Sequence, residues 1–142
     1  MNRVAVFVFA CCFALHASDN QRSVFIRAQC DGKASTSVLS SLKEAVSTSA
    51  RYRLVSGMNN EGRLGAVLAI YVVCAERPGF AAIATTYGTG TCSRATNCQL
   101  LIEGTSLKLA LCDSKATAEC GRRLFETFNT YVNKPPSLSN SQ

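Results

Sequence analysis

The chain has 142 residues, a formal charge of +6 at neutral pH, eight cysteines and one histidine. Its length suits one domain that buries about two thirds of its surface. So modest a positive excess argues against specific nucleic-acid binding, and a lone histidine leaves little room for imidazole chemistry.

The chain opens with Arg3, an apolar run over Val4–Leu15, the small residue Ala17 and then a polar stretch. This layout predicts a secretory signal peptide over residues 1–17, and the run is shorter than the roughly 20 residues of a membrane-spanning helix. Val8-Phe9-Ala10-Cys11 offers a second route, lipidation on Cys11. Parity favours the first: cleavage after Ala17 removes Cys11 and Cys12 and leaves an even set for pairing in an oxidising compartment. The expected location is the periplasm or the extracellular medium, with no transmembrane anchor.

Within residues 18–132 the pattern predicts a single globular domain. Ser23–Cys30 reads as a first strand. Val38, Leu39, Leu42, Ala45 and Val46 then fall on one stripe of a helix that Ser35 or Thr36 can cap. Arg51–Val55 alternates and reads as a second strand, and residues 56–65 as a loop. Ala66–Glu76 is a strand apolar on both faces, with Leu68, Ile70, Val72 and Cys74 on one and Val67, Ala69, Tyr71 and Val73 on the other. Such a strand belongs in the middle of a sheet. Arg77-Pro78-Gly79-Phe80 fits a type II turn into a returning strand over residues 80–87. Cys98–Cys112 follows, interrupted at Glu103-Gly104. Ala116, Cys120, Leu124, Phe128 and Val132 recur every four residues and predict a last helix, with Asp113 or Ser114 as its cap. Gly121 inside that helix reads as a flaw of about 1 kcal/mol. Residues 133–142, with two prolines and little apolar content, predict a disordered tail.

The expected fold is therefore α+β: a two-layer sandwich of a mostly antiparallel sheet with two amphipathic helices on one face, stapled by disulfides. The first strand-helix-strand unit should pair in parallel. The second apolar face of the 66–76 strand then needs small residues, another surface or loop cover. The element order resembles that of small α/β modules in bacterial envelope-assembly proteins. The resemblance lies in order alone and carries no residue roles.

His16 leaves with the signal peptide, which removes a Ser-His-Asp triad, a Cys-His pair and any His-ligated metal. Cys30, Cys74, Cys92, Cys98, Cys112 and Cys120 contain no C-x-x-C spacing, so neither zinc binding nor dithiol redox catalysis is expected, and no cofactor. Disulfides remain, with Cys92–Cys98, Cys112–Cys120 and Cys30–Cys74 as the expected pairs among fifteen pairings. Gly88-Thr89-Gly90 is a faint phosphate-loop echo, and Lys115, Arg122, Arg123 and Arg94 are a candidate basic patch.

The expected function is a non-enzymatic binding or envelope-assembly module whose partner is another protein or an anionic envelope component. An alternative is a secreted inhibitor presenting loop 92–98, with Arg94, Ser93 and Thr96 as contact residues. A second is a small hydrolase built on two of the carboxylates Asp31, Glu44, Glu61, Glu76, Glu103, Asp113, Glu119 and Glu126. If the apolar, uncharged strand 80–87 lies at a sheet edge, a strand-edge dimer is also expected.

Overall fold

The computed structural model describes residues 21–57, 66–92, 98–102 and 107–134. The elements run β1 (Arg22–Gln29), α1 (Lys33–Ser47), β2 (Tyr52–Val55), β3 (Ala66–Arg77), β4 (Phe80–Cys92), β5 (Cys98–Ile102), β6 (Lys108–Asp113) and α2 (Thr117–Val132). The expected signal peptide and C-terminal tail lie outside the described residues, apart from Asn133 and Lys134.

The strand that is apolar on both faces takes a central place. β3 pairs in parallel with β1, and β1 in parallel with β2. On its other side β3 runs antiparallel to β4 along its whole length, through a turn whose Gly79 sits at φ 88°. A positive φ there is what the third position of a type II turn requires. β4 is long enough to carry two antiparallel partners end to end on its outer side, β6 along Phe80–Thr85 and β5 along Gly88–Cys92. The order is β2-β1-β3-β4-β5, with β6 sharing the β5 edge. Strand 80–87 is therefore interior, which corrects the edge position on which its dimer was conditioned. Its apolar, charge-free sequence fits a strand covered on both flanks.

Side chains alternate across a strand, so the register assigns the faces. Val24 and Ile26 of β1, Tyr52 and Leu54 of β2, Leu68, Ile70, Val72 and Cys74 of β3, Ala81, Ile83 and Tyr87 of β4, and Ala110 and Cys112 of β6 share one core with both helices. α1 contributes Val38, Leu42 and Val46, and α2 contributes Cys120, Leu124 and Phe128, all buried. The expected stripes are thus the packed ones, and the two-layer arrangement follows.

The close approach of the helices depends on Gly121. A Cβ built there would lie 2.8 Å from both the Leu42 nitrogen and the Val38 carbonyl oxygen, backbone atoms of α1 that have no rotamer in which to retreat. A residue that looks like a helix defect in isolation is thus the contact point between helices. Further along α2 the side chains grow. Phe128 meets Tyr52 and Tyr87 at ring-centroid distances of 5.4 and 5.6 Å, and Tyr131 lies 5.1 Å from Tyr87. Burial pushes the Tyr87 hydroxyl pKa up, partly offset by the hydrogen bond that Thr85 donates to it.

Two disulfides match expected pairs. Cys30–Cys74 joins the ends of the neighbouring strands β1 and β3, with 4.7 Å between Cα atoms. Cys112–Cys120 ties β6 to the first turn of α2, at 5.6 Å. Cys92 stands directly opposite Cys98 in the backbone register; their side chains lie outside the described ones.

Both helix caps differ from expectation. α1 starts after Gly32, at φ 106°, with no side-chain cap on its own chain segment. Thr36 Oγ1 donates back to the Gly32 carbonyl at 2.7 Å instead of accepting an N–H bond. α2 starts after Ala116, also without a side-chain cap, because Asp113 Oδ1 accepts from the Lys115 N–H in the preceding turn. The disulfide holds the start of α2 in place without a cap.

Replacing Gly121 by Ala should destabilise the fold by about 2 kcal/mol or more, because overpacking against rigid atoms outweighs the helix-propensity gain. Gly57→Ala, at a site with nothing within 4 Å of the added Cβ, should be near neutral; urea denaturation of the two variants compares them. The chain-entropy relation assigns about 4 kcal/mol to the 44-residue Cys30–Cys74 closure and about 2.5 kcal/mol to the 8-residue Cys112–Cys120 closure. Paired Cys→Ala substitutions followed by denaturation should show that order.

Candidate binding surface

The sheet has a second face, and the register lays it out in cross-strand rows. Val73, Ala84 and Leu109 form one row on β3, β4 and β6; Ala75, Ala82 and Leu111 form the next; Arg77, Phe80 and Asp113 form the last. Neighbours in such a row stand about 5 Å apart at Cβ, close enough to act as one surface. The large apolar side chains are exposed: Val73 by 53%, Phe80 by 41%, Leu109 by 74% and Leu111 by 66%, with Leu107 at 65% beside them. Alanines lie between them, so the surface is a shallow trough walled by leucines on one side and Val73 on the other. Arg77 and Asp113 place opposite charges at its end.

The bareness is local. Further down the same face of β3, Val67 and Ala69 are 8% and 0% exposed. The apolar second face foreseen for β3 is thus covered along the first half of the strand and open along the second. A contiguous exposed apolar surface on an otherwise well-packed unit marks an interaction site.

Hollows also lie elsewhere among the described residues. One, at the end of the sheet, is lined by Asp31, Gly32, Glu76, Arg77, Pro78, Gly79 and Ser114. It brings together two of the expected carboxylates, but one of them is engaged. Glu76 Oε2 accepts from both the Ser35 N–H and the Ser35 hydroxyl, each at 3.2 Å. The carboxylate of β3 therefore caps α1 from 41 residues away, where the exposed N–H groups and the helix dipole favour negative charge. Gly32 permits this, since a Cβ there would overlap the Glu76 carboxylate. The second hollow runs between the helices and includes Glu44, Ala45, Arg122, Phe125 and Glu126. Arg122 is paired there with Glu119 one turn earlier.

Ser93, Arg94 and Thr96 lie outside the described residues, as do Glu61 and Glu103. Gly88-Thr89-Gly90 lies within β4, which makes it strand and not a phosphate-binding turn. Among the described residues no three His, Cys, Asp or Glu side chains gather as a metal site. No described helix is long and apolar enough to cross a membrane.

The surface residues Phe80, Leu109 and Leu111 were not among the expected contacts. Their signal was present: in Leu107-Lys108-Leu109-Ala110-Leu111-Cys112 every large apolar side chain falls on one parity, while the other holds Lys108, Ala110 and Cys112. Neither the protein-family models nor the curated proteins compared with this chain match it.

Glu76→Ala should cost about 1–2 kcal/mol through loss of the α1 cap. Glu76→Gln, which keeps an acceptor but not the charge, should cost less. Thermal unfolding of both checks this, and equal stability of Glu76→Ala and the parent would remove the capping assignment.

Proposed function

We propose that this chain is an exported, non-enzymatic binding or assembly module that engages a protein through the open half of its sheet. The observation that carries the reading is the exposure of Val73, Phe80, Leu109 and Leu111 on one continuous surface. Supporting it, disulfides persist in oxidising compartments, and two are present among the described residues. Both lie at the end of the sheet that carries the surface, since Cys74 and Cys112 belong to the same strand rows as Ile83 and Ala81. A surface braced in this way loses little conformational entropy on docking. The carboxylate-hydrolase reading has less support, because Glu76 is committed to capping and the remaining described carboxylates are spread over both helices, the Asp31 loop and the end of β6.

The inhibitor reading keeps one favourable observation: Cys92 opposite Cys98 closes the base of loop 92–98 in backbone register. Site-specific photo-crosslinkers separate the two. Placed at position 80 in the native exported fraction, the probe should capture a protein, and the same probe at position 44 in the interhelix hollow should not. Crosslinks from position 94 alone would transfer the assignment to the loop.

A further inference from the structure

The two edges of the sheet are built differently. β2 is four residues long, with Arg51 before it and Arg53 within it. Shortness and positive charge are standard protections against unwanted strand pairing. β6 has six residues, and its middle, Leu109-Ala110-Leu111, carries no charge, proline or bulge. Among the described residues no strand pairs with its outer side.

The phase of that edge can be worked out. Ser114 N–H donates to the Gly79 carbonyl at 3.1 Å, which makes Ser114 and Gly79 a hydrogen-bonded pair of the β4–β6 ladder. Hydrogen-bonded pairs recur every second residue in an antiparallel ladder. Cys112 and Ala110 therefore point their backbone groups at β4, and Leu111 and Leu109 point theirs outward. The outward amides belong to the same residues whose side chains stand on the open face.

We infer that β6 pairs antiparallel with β6 of a second copy of this chain, Leu109 opposite Leu111 and Ala110 opposite Ala110 on a two-fold axis normal to the sheet. This goes beyond the binding-module reading: the second copy joins at the strand edge and leaves the open face free for another protein. A two-fold normal to the sheet keeps side chains on their own face, so it demands that paired residues have the same parity, as these do. The outward N–H and C=O groups of Leu109 and Leu111 meet their counterparts. The four leucines then form one cross-strand cluster at the seam, and the two open faces become one continuous surface. The register also avoids like-charge contacts, because Lys108 lies opposite Cys112, and Asp113 opposite Leu107, of the second copy. An unrelated strand has no such built-in match.

Sedimentation equilibrium with hydrogen exchange tests this on the full chain as isolated. The expected result is a dimer at tens of micromolar, with the Leu109 and Leu111 amides gaining protection at least tenfold between dilute and concentrated samples. The Ala110 and Cys112 amides, bonded to β4 at every concentration, should not change. Leu109→Lys with Leu111→Lys should yield a monomer with unaltered circular dichroism, both sites being solvent-exposed. A parent that stays monomeric at several hundred micromolar overturns the proposal. So does a dimer whose Leu109 and Leu111 amides remain unprotected, and so does a lysine variant that still dimerises. A monomeric parent that still crosslinks another protein from position 80 would reject the dimer alone and leave the open-face reading standing. No capture from position 80, with dimerisation intact, would reject the wider reading instead.

Discussion

Cys120 and Gly121, adjacent in sequence, hold α2 against two neighbours at once. The disulfide from Cys120 draws the helix onto β6, and the missing side chain of Gly121 lets the α1 backbone come within van der Waals contact. Beneath its first turns, the core-facing side chains of β6 are the small residues Ala110 and Cys112. The same helix carries Phe125, Phe128 and Tyr131 toward its other end, where Tyr52 and Tyr87 meet them. Residue size thus rises along α2 from the clamped end to the aromatic end. The core is filled by this gradient and not by a uniform layer.

The clamp has a consequence on the opposite face. A strand has two parities, and the small residues Ala110 and Cys112 take the helix side of β6, which puts the leucines on the other. They occupy the outward set, next to Phe80 and Val73. The exposed surface is therefore coupled to the tight packing behind it. The Cys30–Cys74 and Cys112–Cys120 disulfides and the Glu76 cap sit at that same end of the sheet, so the backbone under the surface is cross-linked and capped. Rigid backing with an apolar, small-floored trough suits docking of a preformed surface or strand, because little ordering remains to be done on contact.

Much of the architecture was legible in the residues. The stripe of Val38, Leu42 and Val46, the four-residue recurrence from Cys120 to Phe128, the two-sided apolarity of β3 and the Pro78-Gly79 turn are properties of short segments. Each segment shows its own periodicity whatever it packs against. The pairing of Cys30 with Cys74 and Cys112 with Cys120 followed from where those segments end.

Other features depend on which segments become neighbours, and these only the tertiary structure decided. The cap of α1 is Glu76, a residue distant in sequence, while the local candidates Ser35 and Thr36 donate their hydroxyl bonds. Gly121 reads as a propensity penalty along the chain and becomes the closest contact between helices in space. Strand 80–87 has the composition of a vulnerable edge but is interior, because β4 is long enough to hold β5 and β6 on one side. The edge passes instead to Leu109-Ala110-Leu111. Helical and strand periodicity are set by backbone geometry within a few residues, so sequence determines them. Edge status, close approach and long-range capping are relations between segments, and no local pattern encodes them.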